Sequence, residues 1–269
     1  MQTREFGSTG RRVAVIGQGT WYGAGDKRRA AVAALRKGID LGMTHIDTAE
    51  MYLNGEAEEW VAEAVGPNRD KVFLVSKVLP GNASRQGTIA ACERSLRRLK
   101  TDRLDCYLLH WPGEHRLDDT IAAFEQLEAE RKILSWGVSN FDAPELKGRR
   151  PVCNQVLYHL EERAVEHAVI PWCEQNRAAL VAYSPFGHGD FPDNRVLAQI
   201  ADELSATPHQ VALRFLLRWP GAFAIPKTND LDHVAENAAA GDLELTAAQI
   251  SRLEQAFPLG LRPRYLPML

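Results

Sequence analysis

Four side chains of this chain are of the types that can together transfer a proton to an oxygen atom. Asp47, Lys77 and His110 each end a short apolar run, and Tyr52 follows Asp47 by five residues. If the three runs are parallel barrel strands, their carboxyl ends meet at one face and bring these groups together. A phenol, an ammonium, a carboxylate and an imidazole are the groups that acid–base chemistry on a carbonyl uses.

Reduction of a carbonyl adds a hydride to its carbon and a proton to its oxygen, and Tyr52 is the predicted proton donor. A free phenol has a pKa of about 10, and we expect the ammonium of Lys77 to lower it by roughly 1 to 3 units. Asp47 is expected to keep the buried Lys77 charged. His110, as a neutral imidazole, is expected to donate a hydrogen bond to the substrate oxygen and to orient the carbonyl.

The elements that would position these groups follow the order of an α/β barrel. Eight short, β-rich apolar runs alternate with longer segments of helical period, which predicts a single-domain (β/α)8 TIM barrel over residues 1–269. A short N-terminal β-hairpin at 4–10 is expected to close the barrel floor. The predicted strands are 15–20, 44–48, 72–78, 104–110, 136–140, 154–158, 180–184 and 223–227.

Spacing and start signals mark the helices. Apolar residues recur at steps of three or four through 89–99 and 117–127, which indicates amphipathic helices. Thr207 and Thr246 each precede a glutamine by three residues, and this capping box predicts a helix start at both places. A short irregular tail is expected from Pro258 onwards.

Composition and charge favour an enzyme that acts on small molecules. Hydrophobic residues make up 45% of the 269 and charged residues 25%, and the net charge of -3 offers no basic stripe to nucleic acid. No apolar stretch suits a membrane span and residues 1–5 lack a secretory apolar region, so we expect the cytoplasm. The four cysteines have no metal or disulfide spacing. We expect no metal, and a monomer or at most a weak oligomer.

The segment from Asp47 to Tyr52, followed by Asn54-Gly55-Glu56, resembles the signature of the aldo-keto reductase family. Lys77 and His110 fall where that family keeps its other two catalytic residues. The resemblance implies the barrel fold and the roles given above, with Asp47, Tyr52, Lys77 and His110 as the catalytic set. It also implies an NADPH that lies extended across the barrel mouth.

The same resemblance extends to segments downstream that would hold the cofactor. Residues 137–140 and 154–155 resemble the groups that bond the nicotinamide carboxamide, 183–185 the ring that stacks on nicotinamide, and 225–228 with 236–237 the adenosine grip. Barrel loops after the last two strands commonly bind phosphate. The cofactor residues implied are Gly19, Thr20, Asp47, Ser139, Asn140, Gln155, Tyr183, Ser184, Pro185, Gly187, Ile225, Lys227, Thr228, His233, Glu236 and Asn237.

Two positions depart from the family pattern. His233 stands where an arginine usually helps to hold the 2'-phosphate, and a histidine lacks both the fixed charge and the bidentate fork of that side chain. Use of NADH beside NADPH is therefore open. Arg131 replaces the usual glycine before the fifth strand, where we expect a local change of backbone without consequence for the chemistry.

An aromatic and apolar wall is predicted for the substrate pocket, which would suit a hydrophobic aldehyde or ketone. The tail after the last helix is short and is expected to leave this pocket rather open. The predicted pocket residues are Trp21, Met51, Tyr52, His110, Trp111 and Phe186.

Two other functions compete with a reductase. A doubly wound dehydrogenase is suggested by Gly17-Gln18-Gly19 but fits poorly, because the third glycine of the dinucleotide fingerprint would fall at Tyr22. A regulatory barrel that senses a nicotinamide cofactor with little turnover would share the fold. The retained Asp47, Tyr52, Lys77 and His110 argue against that alternative.

Overall fold

Parallel strands joined by helices enclose a barrel in a computed structural model of the protein, which describes residues 1–23, 25–189 and 191–269. Each barrel strand pairs in parallel with its neighbour in the chain, as right-handed β/α crossovers dictate. The barrel strands are β3 (Gln18–Gly19), β4 (His45–Asp47), β5 (Phe73–Val78), β6 (Cys106–Leu109), β7 (Trp136–Ser139), β8 (Cys153–Leu157), β9 (Ala179–Tyr183) and β10 (Ala222–Ala224).

Main-chain hydrogen bonds close the sheet into a barrel. Ile16 forms a parallel bridge to Ala224, in which the Gly17 amide donates to the Ala224 carbonyl at 2.8 Å. The Ala224 amide donates in turn to the Val15 carbonyl at 3.0 Å. These bonds confirm the predicted (β/α)8 barrel, whose strand ends meet at one mouth.

Helices cover the outside of the barrel, and the starts predicted at both capping boxes are confirmed. Thr207 and Thr246 each accept a bond from the amide of the glutamine three residues on, which bonds back to the threonine amide. Among the residues described, no helix is both long and apolar enough to cross a membrane. The helices are α1 (Arg28–Asp40), α2 (Glu56–Val65), α3 (Arg85–Leu99), α4 (Leu117–Ala129), α5 (Val169–Asn176), α6 (Arg195–Glu203), α7 (Pro208–Leu216), α8 (Leu231–Ala240) and α9 (Ala247–Ala256).

Two predicted boundaries at the amino terminus are wrong. The hairpin pairs β1 (Thr3–Glu5) with β2 (Arg12–Ala14), so the predicted 4–10 contains most of the first strand and the turn but omits the second strand. The first barrel strand is confined to β3, because the chain before it is still occupied by the hairpin and by the single bridge of Ile16. An apolar run cannot reveal which of its residues pair with which neighbour.

Alternation along β5 explains how the barrel carries a cation at its mouth. Phe73 and Val75 pack in the barrel interior, whereas Leu74 and Val78 pack against the helical layer. Successive side chains of a strand point to opposite faces, so Lys77 faces the barrel interior together with Phe73 and Val75. The strand therefore delivers the Lys77 ammonium into the barrel at its carboxyl end.

Candidate active site

A tight turn directly after β4 places Tyr52 over the barrel mouth. Asp47 ends the strand, and the 3-10 turn Tyr52–Gly55 follows, with φ of 49° at Leu53, 53° at Asn54 and 97° at Gly55. Left-handed values at two residues with side chains are costly. Glycine is favoured at the third, because its φ of 97° is a conformation that residues with a Cβ rarely adopt, and a Cβ there would also push the Arg98 side chain aside. The turn holds the Tyr52 phenol close to the strand ends.

Lys77 lies at the centre of a hydrogen-bonded cluster. Its side chain is fully buried, and its ammonium donates to Asp47 Oδ1 at 2.5 Å, to the Thr48 carbonyl at 2.9 Å and to Tyr52 Oη at 3.3 Å. The other carboxylate oxygen of Asp47 accepts from Gln155 Nε2 at 2.7 Å. A buried ion pair is tolerated when further hydrogen bonds satisfy it in this way.

His110 packs against the Tyr52 ring. The two rings meet edge to face with centroids 5.7 Å apart, and the His110 ring contacts Trp111 at 4.8 Å. Asn140 Nδ2 donates to the His110 carbonyl at 3.2 Å and so holds the backbone of this residue. The imidazole Nδ1 is buried and finds no partner within the described part of the chain.

Electrostatics keep the imidazole neutral and the ammonium charged. Burial, with a smaller contribution from Lys77, lowers the pKa of His110 well below its usual range. Burial works against the charge on Lys77, but Asp47 and the bonds to Asp47 and Tyr52 prevail and raise its pKa. A neutral imidazole and a charged ammonium therefore face the same phenol.

The expected lowering of the Tyr52 phenol pKa is wrong. Burial raises the pKa of Tyr52 above its usual value, and Lys77 only partly opposes that effect. Asp47 reinforces the rise, because a carboxylate nearby disfavours a phenolate. Tyr52 therefore keeps its proton at neutral pH.

These groups lie at the floor of a cavity of about 470 Å³ in the barrel mouth. Lys77 lies beneath it, covered by the groups to which it bonds. The cavity is lined by Gly19, Thr20, Trp21, Asp47, Met51, Tyr52, His110, Trp111, Ser139, Asn140, Gln155, Tyr183, Ser184, Pro185, Phe186, Gly187, His188, Ile225, Lys227 and Leu269.

The structure brings together all the residues predicted for the substrate pocket, and most of those predicted for the cofactor. The cofactor residues that do not line the cavity are Thr228, whose hydroxyl accepts from the Asp230 amide, and three residues of α8. These three are the exposed His233, the half-buried Glu236 and the buried Asn237.

Sequence reasoning missed two residues of the cavity wall. His188 stacks on Trp21 with ring centroids 5.7 Å apart, and its position between two glycines in the loop after β9 was the available signal. Leu269 lines the cavity because the tail returns to the mouth, where its amide donates to Tyr183 Oη at 3.2 Å. The tail therefore does not leave the pocket as open as predicted.

Polar groups on β7, β8 and β9, and directly after β7, fit the amide end of a nicotinamide. Ser139 and Gln155 are buried yet line the cavity, and Tyr183 Oη donates to Asn140 Oδ1 at 2.9 Å. Asn140 and Ser184 have left-handed backbones, with φ of 64° and 45°. Hydrogen-bonding groups and an aromatic ring thus share one wall beside Tyr52.

The opposite end of the cavity fits a phosphate and a ribose. Lys227 lines it, and the Gly19 amide donates to the Pro226 carbonyl at 3.0 Å. The two loops approach so closely that a Cβ on Gly19 would lie 2.7 Å from the Ile225 carbonyl oxygen. The Oδ1 of Asn229, two residues beyond Lys227, is buried and has no partner in the described ranges.

Comparison with known proteins agrees with this geometry. The model of the aldo/keto reductase family matches residues 15–257. The chain is 46% identical over 257 residues to the methylglyoxal reductase YeaE of Escherichia coli, with 90% of each protein covered. It is 34% identical over 244 residues to a glyoxal reductase of Bacillus subtilis, with 87% of each covered.

A solved structure extends the likeness to three dimensions. It is that of an aldo/keto reductase from Klebsiella pneumoniae in complex with NADP and acetate. The two chains share 43% identity with a TM-score of 0.93, over 99% of each. The chain belongs to the aldo/keto reductase family and is an oxidoreductase.

Proposed function

We propose that the protein reduces small, reactive 2-oxoaldehydes to hydroxycarbonyl compounds with NADPH, and that Tyr52 donates the proton. The reaction class follows from the family, whose members interconvert carbonyl compounds and alcohols with a nicotinamide cofactor. The observation that carries the proposal is the bonded cluster of Tyr52, Lys77 and Asp47 at the floor of the cavity.

The residues of this cluster have distinct tasks. NADPH, when bound, supplies the hydride. Tyr52 gives its proton to the carbonyl oxygen, and the Lys77 ammonium at 3.3 Å stabilises the phenolate that remains. Asp47 keeps Lys77 charged and in place. His110, neutral because it is buried, orients the carbonyl by a hydrogen bond to the same oxygen.

The cavity walls described above would hold the cofactor. Ser139, Asn140 and Gln155 would bond its carboxamide and the Tyr183 ring would pack on the nicotinamide, in keeping with their places at the cavity wall. Lys227 would bind the 2'-phosphate as a point charge. The remaining contacts assigned to the cofactor are Gly19, Thr20, Ser184, Pro185, Gly187, Ile225, Thr228, His233, Glu236 and Asn237.

The choice of substrate class rests on relatives and on space. The two curated relatives named above are a methylglyoxal reductase and a glyoxal reductase, and both names denote small dicarbonyls. The aromatic side chains of Trp21, Trp111 and Phe186, with Met51 and Leu269, narrow the cavity that a nicotinamide would already share. What is left suits a compact substrate.

Tyr52→Phe is the variant that tests the role of the phenol. It removes the transferable proton and keeps the ring, so we expect methylglyoxal reduction to fall by about 10²- to 10⁴-fold, the usual range for a general acid. The rate is read as NADPH consumption in the steady state, and NADPH affinity, measured by fluorescence titration, should stay within about twofold. Comparable turnover in wild type and variant would remove Tyr52 from the proposed mechanism.

The same assay decides between a reductase and a cofactor sensor. A sensor would bind NADPH and leave it unoxidised with methylglyoxal, glyoxal, and aromatic, aliphatic and sugar aldehydes alike. The sensor is not favoured, because family membership and the bonded cluster both belong to a working catalyst.

The proposal extends to the setting of the reaction. The substrate is a small carbonyl compound, and the net charge of -3 favours neither a nucleic acid nor an anionic surface as partner. We assign the protein to the cytoplasm as a monomer, with residues 1–269 as one domain. Light scattering of the purified protein at assay concentration tests the assembly, and a mass near twice 30.0 kDa would contradict it.

A further inference from the structure

We infer that Asp26 is a specificity-determining residue for the cofactor. Its carboxylate is already paired with the ammonium of Lys227, which is the cation that the 2'-phosphate of NADPH needs. The inference rests on the proposed function, in which Lys227 holds that phosphate. It adds a competitor built into the chain, which lowers the advantage of NADPH over NADH.

The contacts of Asp26 are those of a bound anion. Its Oδ1 accepts from Lys227 Nζ at 2.7 Å and also from Asn229 Nδ2. Its Oδ2 accepts from the Gly23 amide at 2.8 Å. An ammonium, a side-chain amide and a main-chain amide around one anion form a donor set that a phosphate would also use.

Burial and charge make this pairing strong enough to compete. The side chains are 19% exposed for Asp26 and 30% for Lys227, so solvent screens the pair only in part. Burial opposes ionisation of Asp26, but the Lys227, Gly23 and Asn229 bonds prevail and lower the pKa of that carboxyl. Asp26 is therefore a full negative charge at neutral pH.

The position of Lys227 at the cavity means that a bound 2'-phosphate would displace Asp26 from it. Lys227 lines the cavity just after β10, whereas Asp26 lies in the loop between β3 and α1. A 2'-phosphate that reaches Lys227 must displace this carboxylate or share the ammonium with it against like-charge repulsion. NADH carries no phosphate there and meets neither cost.

The neighbouring residue does not compensate. His233, on the first turn of α8, stands where the family resemblance implies an arginine, and a histidine supplies no fixed charge at neutral pH. Among the described residues that line the cavity, Lys227 carries the fixed positive charge, and Asp26 is already paired with it. The preference for NADPH over NADH therefore depends on competition between the Asp26 carboxylate and the 2'-phosphate for the Lys227 ammonium.

Asp26→Asn tests this competition. It removes the negative charge but keeps the size of the side chain and an oxygen that can accept from the Gly23 amide. Fluorescence titration gives the Kd of NADPH and of NADH separately. We expect the ratio of the NADH Kd to the NADPH Kd to rise by about five- to tenfold. Asp232→Asn is the matched control, because it removes a carboxylate of α8 that does not pair with Lys227, and its ratio should stay within about twofold.

A second background isolates the ion pair from other effects of the loop. In Lys227→Met, the further change Asp26→Asn should leave the ratio within about twofold, because no ammonium remains to be released. An equal gain for both cofactors in the single variant, an unchanged ratio or a fall would each overturn the inference. A wild type that binds neither cofactor would overturn the proposed function as well, whereas tight binding with an unchanged ratio overturns the inference alone.

Discussion

At the scale of single residues, the two buried charges of the site are held by hydrogen bonds. The Lys77 ammonium has three acceptors, and both oxygens of Asp47 are bonded, one to Lys77 and one to Gln155. Removal of one partner would leave an uncompensated buried charge, which costs several kcal/mol. The cluster is therefore rigid, and its geometry is set before a substrate arrives.

His233→Arg is the residue change that should strengthen NADPH binding. An arginine has a fixed charge and a planar fork that bonds a phosphate with two donors, and the exposed position on α8 leaves room for it. We expect the NADPH Kd to fall by about tenfold, the value of one charge-assisted hydrogen bond, with little change for NADH. Fluorescence titration with both cofactors measures this, and equal changes would show that residue 233 does not meet the phosphate.

At the scale of elements, the carboxyl ends of the strands and the loops that follow them carry the catalytic side chains. Chain direction in a parallel barrel brings the ends of β4, β5 and β6 to one face, so three loops distant in sequence share one cavity. The turn Tyr52–Gly55 then returns Tyr52 over the mouth. A change in that turn would misplace the phenol without touching a catalytic group.

The end of α4 keeps a turn of the kind that glycine favours, although Arg131 occupies it. Arg131 has a φ of 56°, its amide bonds the Glu128 carbonyl, and the Lys132 amide bonds the Leu127 carbonyl. This is a Schellman motif. The change of backbone expected from the missing glycine is thus wrong, because the arginine adopts the left-handed conformation itself.

Arg131→Gly should therefore stabilise the protein. Glycine adopts the left-handed backbone conformation without the steric strain that a Cβ causes, so we expect the free energy of unfolding to rise by about 1 kcal/mol. Denaturant unfolding measures this. Arg131→Ala is the control, because it removes the guanidinium but keeps the Cβ, and a gain of equal size there would assign the effect to charge.

At the scale of the whole molecule, the barrel interior holds an ionisable group that the chemistry does not use. His45 is fully buried, and its ring meets Phe6 and Phe73 edge to face at 5.6 and 5.7 Å. Neither ring nitrogen has a partner within the described ranges. Burial, with a smaller contribution from Lys77, lowers its pKa to about 3, so it is neutral in the folded protein.

The stability of the fold should therefore decline in mild acid. Below pH about 6.5 the unfolded chain protonates His45 while the folded chain does not, so acid favours unfolding until the pH reaches about 3. His45→Leu should reduce this slope between pH 6 and 4 by about 1.4 kcal/mol per pH unit. Denaturant unfolding across that range tests it, with the exposed His115→Leu as control; equal slopes in all three proteins would contradict a buried neutral His45.

Much of the site could be predicted because strands and their ends leave strong local signals. Asp47, Lys77 and His110 each follow an apolar run, and the parity of β5 already directs Lys77 inwards. The pKa of Tyr52 could not be predicted, because desolvation depends on what surrounds a group and not on its neighbours in sequence. His188 and Leu269 escaped prediction for a related reason, since loops and tails fold back without periodicity.

The sequence by itself determined the barrel, the order of its strands and the convergence of its ionisable strand ends, because alternation and chain direction are local properties that propagate through a closed sheet. Only the tertiary structure decided the rest. It settled that Asp26 pairs with Lys227 and that the tail meets Tyr183. Such contacts join loops that are far apart in sequence, and the spacing of residues along the chain does not show which loops meet in the folded protein.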